Sequence, residues 1–361
     1  MKLVTMFNAS RLTLARKRRQ LTKKELAEKA QLTAITLTRL EAGETPEPGS
    51  DTVRSLAHVL NYPTEFFYLT DSESLQTEAV SFRSLSTLSA RQRDAALAAG
   101  ELAFELHGWV AQRFELPPAQ LLDMRDEEPL AAAETLRSHW GIGTRPIDNL
   151  IKLLESKGVR VFCLAEQHKH VDAFSCWRVE VPYIFLNTFK SAERSRFDAA
   201  HELGHLVMHI HGAISGRDVE RDADQFASAF LIHRGDLIGN LGRVSTVSQL
   251  VSAKRRWGVS VAALARTAFD ANLISDWHYR DLCRQISSLG YRSNEPVSME
   301  REKSVLWRMV FDQLWKDGVT KQTIASDLHI PLDEIESLIG ELVTQQPPKV
   351  TADRPILKIV S

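Results

Sequence analysis

The stretch RFDAAHELGHLVMHIHG (196–212) constrains the fold more than any other part of the chain. His201 and His205 stand four residues apart, so they share a face when the segment is an α-helix. On that face both imidazoles can bind one zinc ion. Glu202 lies beside them, placed to take a proton from a zinc-bound water whose pKa has fallen to about 7. A pattern this short arises by accident in long chains, so it needs a partner element.

The segment VERDADQFASAFLI (219–232) supplies one. It reads as a second helix with Phe226, Phe230 and Leu231 near one face. Glu220 follows His205 by enough chain for one turn and an antiparallel return, and it can supply a third, oxygen ligand. Asp224, one turn further on, is placed to accept the N–H of a ligand histidine and fix its tautomer. Phe197, Ala199 and Ala200 are expected to bury the motif helix against a small sheet. The sheet itself is legible in VRVFCLA (159–165), AFSCWRVEV (173–181) and PYIFLN (182–187), which are short, β-branched and aromatic. His209 and His211 are expected in supporting or surface roles.

The N-terminus carries a different pattern. In LTKKELAEKAQLTAITLTRLEAGETPEPGSDTVRSLAHVLN (21–61), Thr22 and Glu25 form a capping box that opens a helix at 22–29. Ala27 is small where two helices cross. Thr33 can cap a second helix with Leu37 and Leu40 inward; Gly43 ends it, and Ser50 can cap the next. Two short helices joined by a tight turn make a helix-turn-helix. Its outward residues would be Ala34, Ile35, Thr36, Thr38 and Arg39: methyl groups for thymine, and an arginine for a guanine edge or a phosphate. Lys23 and Arg16–Arg19 are suited to phosphates. Residues 1–70 hold 11 Lys/Arg against 7 Asp/Glu, within a chain of net charge −1, so this is the part whose charge suits an anionic partner.

Two family resemblances follow from these residues. L-T-x-x-E-L-A, L-T-A-I-T-L-T-R-L-E and the following glycine resemble the Cro/C1-type (XRE) helix-turn-helix family over about 60 residues. That resemblance implies binding to double-stranded operator DNA through Lys23, Thr33, Ala34, Ile35, Thr36, Thr38 and Arg39; Lys23 stands where the family often has glutamine. H-E-L-G-H-x-x-x-H, E-R-D-A-D-Q-F-A and the strand V-R-V-F before them resemble the ImmA/IrrE family of zinc metallopeptidases. The likeness spans roughly 147–235, with His233 where that family usually has proline. It implies His201, His205 and Glu220 as zinc ligands and Glu202 as general base.

The remaining sequence fills in the organisation. Hydrophobic residues make up 43% and charged residues 25% of 361, the balance of an ordinary globular protein with room for two to four domains. The expected fold is mainly α with a small β-sheet. It comprises an all-α helix-turn-helix domain at 7–70, a linker at 71–89 and an α+β zincin-like peptidase domain at 90–240 with its core at 147–235. A helical region at 241–345 and a loosely ordered tail at 346–361 complete it. The long helical pattern from Ala90 is expected to run on to Pro117-Pro118, others at 128–139 and 147–157, the last ending at Gly158. Ser260 is a plausible cap with Val261, Leu264 and Ala265 inward. TKQTIASDLHIPLDEIESLI again has helix-turn-helix spacing. Because 301–345 holds 5 Lys/Arg against 8 Asp/Glu, protein contact or dimer packing suits it better than DNA. The three cysteines (Cys163, Cys176, Cys283) are too few and too scattered for a disulfide framework, and are expected as buried apolar fillers. No apolar run approaches a membrane span and no signal peptide is evident, which points to a cytoplasmic protein.

The expected function is a transcriptional regulator, dimeric on DNA, whose zinc peptidase cuts itself or a partner helix-turn-helix repressor. The linker is the natural target for cutting in cis. Two alternatives stay open: a repressor whose metal domain senses a ligand without hydrolysis, and an antitoxin-like regulator binding a toxin.

Overall fold

The computed structural model of the protein describes residues 6–72, 75, 89–164, 173–209, 217–242 and 244–343. The linker expected at 71–89 therefore falls mostly outside the described residues, as do His211 and the tail at 346–361.

The N-terminal unit consists of α1 (Ala9–Arg18), α2 (Lys23–Lys29), α3 (Ala34–Glu41) and α4 (Ser50–Leu60), closed by a 3₁₀ turn at Thr64–Tyr68. The Thr22/Glu25 capping box forms as expected, and the Thr33 hydroxyl accepts from the Thr36 N–H at the start of α3. Leu26, Leu37, Leu40, Leu56 and Phe66 are fully buried and make the small core. One boundary shifts: Gly49, rather than Ser50, caps α4, and no side chain bonds its first turn.

The central unit opens with α5 (Ala90–Ala111), then α6 (Pro129–His139) and α7 (Leu150–Ser156). The helix α5 stops six residues short of Pro117-Pro118, because the chain turns at Gln112–Phe114 to bury Phe114. Gly158 follows α7 at φ +84°, and a Cβ there would strike the backbone of Pro118, so both conformation and space demand glycine.

Strands β1 (Arg160–Leu164), β2 (Ala173–Arg178) and β3 (Val181–Asn187) form one sheet in the order β1-β3-β2. β1 runs parallel and β2 antiparallel to β3, with Ser175 opposite Ile184. Among the described residues β2 is a sheet edge.

Helix α8 (Ala192–Met208) lies across β2 and β3, and α9 (Arg217–Leu231) returns antiparallel to it. Ala199 and Ala200 are fully buried. Phe197 instead lines the cleft beside the site, since two residues of helix set it about 200° round the axis from Ala199.

The C-terminal part adds α10 (Arg234–Leu241), α11 (Val247–Ala253), α12 (Val261–Asp270) and α13 (Asp276–Ser288). It ends in α14 (Val305–Lys316), α15 (Lys321–Leu328) and α16 (Leu332–Ile339). Segment 295–304 straps over the first half of α8. Lys254, itself buried, joins Glu193 at 2.8 Å to Glu295 at 3.1 Å, and Arg196 pairs with Glu302. Helix α16 packs on β1 and α5. Its Glu334 accepts from Arg18 Nε at 2.8 Å and from the Tyr62 hydroxyl at 2.9 Å, locking the C-terminal part to the N-terminal unit. No described helix is long and apolar enough to cross a membrane.

Candidate metal centre and nucleic-acid interface

Helix α8 places His201, Glu202 and His205 on one side because of its 3.6-residue period. Gly204 sits between them, facing α9. A Cβ there would lie 3.0 Å from the Phe226 ring and 3.4 Å from the Ala223 Cα. The missing side chain lets the two helices approach, and that approach brings Glu220 over the histidines. On α9, Glu220, Ala223, Phe226, Ala227 and Phe230 form the buried stripe, so the Glu220 carboxylate rides on the same apolar face that anchors the helix.

His201 Nε2 and His205 Nε2 are 3.1 Å apart. Glu220 puts one carboxylate oxygen 3.4 Å from the first and the other 3.7 Å from the second. One ligand atom from each of the three residues falls within 4.8 Å of the other two. Ligand atoms at 2.0–2.1 Å from a tetrahedral ion are roughly 3.3 Å from one another, so the donor set and its spacing both fit a divalent cation.

The outer nitrogens are accounted for too. Asp224 accepts from His201 Nδ1 at 2.9 Å, which leaves Nε2 as the lone-pair nitrogen. His205 Nδ1 lies 3.0 Å from His209 Nδ1. For His205 to ligate through Nε2, its Nδ1–H donates to His209, so the expected supporting role of His209 takes a specific form. Burial opposes charge on His201, but the carboxylates of Asp224 and Glu220 outweigh it and lift the pKa to about 10. Burial, then the neighbouring histidines, push His205 well down. This is a site whose acidic groups favour a positive charge at its centre, supplied by a proton or by a cation.

Glu202 is buried, and its carboxylate Oε2 accepts from Ser175 Oγ at 2.7 Å. Sequence reasoning missed Ser175. The available signal was a lone strong hydrogen-bonding side chain in the otherwise apolar run AFSCW. The site opens into a cleft of about 1080 Å³, bounded by Ala173 on β2, Leu130 on α6, Leu237 on α10 and Ala263 on α12. Cys163 and Cys176 are buried away from it, their thiols pushed up by burial, as expected of apolar fillers; Cys283 is half-buried.

At the N-terminal unit, Thr33, Ala34, Ile35, Thr36, Thr38 and Arg39 are all exposed along the outer face of α3. Ile35, at 67% exposure, is conspicuous for an isoleucine. Lys23 is about half exposed and reaches Glu41 at 3.2 Å. The arginines expected on phosphates are placed otherwise. Arg16 pairs with Glu41, tying α1 to α3; Arg18 is buried on Glu334; Arg19 donates to the Leu60 carbonyl at 2.8 Å and lies 3.0 Å from Glu334. The carboxylates of Glu41 and Glu334, delivered from elsewhere in the fold, claim these side chains as structural partners. Only Lys17 keeps substantial exposure.

Residues 154–269 match the family model of peptidase family M78, the IrrE N-terminal-like domain, and residues 12–67 match the helix-turn-helix model. A search of curated proteins found no match. The two matched regions coincide with the cleft and with the exposed helix just described: the chain is a fusion of an XRE-type helix-turn-helix domain to an ImmA/IrrE-like, metallopeptidase-type domain.

Proposed function

We propose that the protein is a transcriptional regulator that binds operator DNA through α3 and hydrolyses a protein segment at a zinc ion held by His201, His205 and Glu220. The observation that carries this reading is the convergence of three ligand atoms beside a buried glutamate at the base of a cleft. Bound there, zinc supplies Lewis-acid polarisation of a carbonyl and acidifies a water.

The chain's own residues do the rest. Asp224 and His209 hold the two histidines in the ligating tautomer. Glu202 takes the proton of the attacking water on its carboxylate and returns it to the departing amine nitrogen. β2 is an edge of the sheet among the described residues and its first residue, Ala173, lines the cleft, so an extended peptide entering there is placed to add beside it as a strand, which a helix cannot do. The substrate is thus an extended stretch, of this chain or of a partner repressor. The linker between the two matched regions is the candidate within the chain, and 76–88 lies outside the described residues.

On the DNA side, Ala34, Ile35, Thr36 and Thr38 present methyl groups to a major groove, Arg39 reaches a base edge or phosphate, and Lys23 and Thr33 flank the backbone. Two copies would read two half-sites. The test is metal analysis paired with intact mass of the chain and of candidate repressors. One zinc per chain is expected, lost in His201→Ala, His205→Ala and Glu220→Ala. Glu202→Gln should keep zinc and abolish any fragment. Full zinc retention in all three ligand variants would remove the site; zinc without Glu202-dependent fragments would leave a metal-holding sensor.

A further inference from the structure

We propose that Ser175 is a positioning residue for Glu202, holding the carboxylate in the orientation from which it accepts a proton. The inference rests on the reading of Glu202 as base. It starts from register. Side chains of a strand repeat on one face every second residue, roughly 6.6 Å apart, and those of a helix nearly so at i and i+4, about 6 Å along the axis. β2 and α8 are matched in this way. Ser175 Oγ donates to Glu202 Oε2 at 2.7 Å, and two residues on Trp177 Nε1 donates to the carbonyl of Leu206, four after Glu202, at 3.0 Å. The Ser175 and Trp177 side chains thus fix the strand against the motif helix; the Ser175 hydroxyl also lies 3.3 Å from the Glu202 carbonyl oxygen, but its shorter bond ends on the carboxylate itself.

Chemistry argues in the same direction. Ser175 and Glu202 are each 3% exposed. Alanine at 175 would pack the same face without a polar atom, so the hydroxyl is worth burying only for what it bonds. Without an anchor, a carboxylate at the end of a glutamate side chain is free to rotate about its terminal torsions. One oxygen anchored from the strand removes that freedom. The rival explanation is that the serine merely satisfies a buried acid and contributes stability alone.

The experiment uses the zinc-loaded full-length protein and acetohydroxamic acid, which binds a cation as its anion and gives its hydroxyl proton to a neighbouring base. Affinity by calorimetry is read beside zinc content and unfolding temperature. Glu202→Gln should weaken binding most. Ser175→Ala and the near-isosteric Ser175→Cys should weaken it on the order of tenfold with zinc content unchanged, the scale of one hydrogen bond to a charged group. Ser175→Thr, which restores the hydroxyl, should bind as the parent does. Parent-like affinity in both the alanine and cysteine variants, beside a weakened Glu202→Gln, would make Ser175 structural and overturn the proposal. So would a folded, zinc-bearing threonine variant as weak as alanine. Parent-like affinity in Glu202→Gln itself would instead overturn the base assignment, and this proposal with it.

Discussion

Among the described residues two helix pairs have helix-turn-helix spacing, α2–α3 and α15–α16, with opposite fates. Both open with a threonine capping box, at Thr22 and Thr320. In the first pair the second helix turns Leu37, Leu40 and the Glu41 side chain inward and leaves Ala34, Ile35, Thr36, Thr38 and Arg39 exposed. In the second pair α16 buries Glu334, Ile335, Leu338 and Ile339 against β1, α5 and the N-terminal unit. A motif that can read DNA in one place serves in the other as the clamp that holds the first in position. Local sequence makes the helices; whether the second helix is offered to a partner or consumed by the fold depends on what the chain packs against it.

The largest expected effect comes from breaking the clamp. Glu334→Ala would take the carboxylate from the buried Arg18 guanidinium, which keeps its bond to Ser337 Oγ at 3.2 Å, and from the Tyr62 hydroxyl. Loss of one member of such a buried group costs about 3–5 kcal/mol, to be read as a lower denaturant midpoint. Burial and Glu334 together hold the Tyr62 hydroxyl well above its ordinary pKa, so no tyrosinate relieves the loss.

The second effect is a pH dependence where the C-terminal pair is anchored. Glu155, on α7, accepts from Ser304 and from the N–H groups of Val305 and Leu306, at the N-terminus of α14. Burial raises its pKa from 4.5 to about 7 despite those donors. The folded state therefore binds more protons than the unfolded chain between those values. Its contribution is full below pH 4.5, falls as pH rises toward 7, and is flat above, a loss on the order of 3 kcal/mol. Glu155→Gln should flatten that part of a stability–pH profile, with denaturation at several pH values as the check.

A third test separates the arginines of the two faces. Arg39→Ala should cost about 1–3 kcal/mol in specific DNA affinity and relax base preference, if Arg39 reads a base edge. Arg18→Ala should leave affinity and its salt slope unchanged in the folded protein and lower stability instead. Binding titrations at two salt concentrations distinguish them. An Arg18 variant with a reduced salt slope would place α16 off the N-terminal unit in the DNA-binding state.

The smallest effect is expected from Lys23→Ala: uniformly weaker binding across sequences, with the salt slope reduced by about 1.

Much of this was legible in the residues themselves. The Thr22 capping box, the Gly43 and Gly158 stops and the apolar stripe of α9 are local signals that stand where expected; of the strand segments, 173–181 breaks at a turn over Val179–Glu180, so that Val181 opens β3 instead of closing β2. Spacing also brought His201, His205 and Glu220 together, because a helical face and an antiparallel return are short-range consequences of sequence. Arg16, Arg18 and Arg19, expected on phosphates, stand elsewhere for the opposite reason. Charge density says that a cation seeks an anion, but not whether the anion is a phosphate or Glu334, more than three hundred residues away in the chain.

The same division runs through the candidate metal centre. The sequence by itself determined the candidate donor types and their period on α8, since these depend on side-chain chemistry and helix geometry. Only the tertiary structure decided that Ser175 meets Glu202, that His209 backs His205, and that α16 faces inward. Those contacts join elements whose register is set by long-range packing, where one residue of slip turns every strand side chain to the other face.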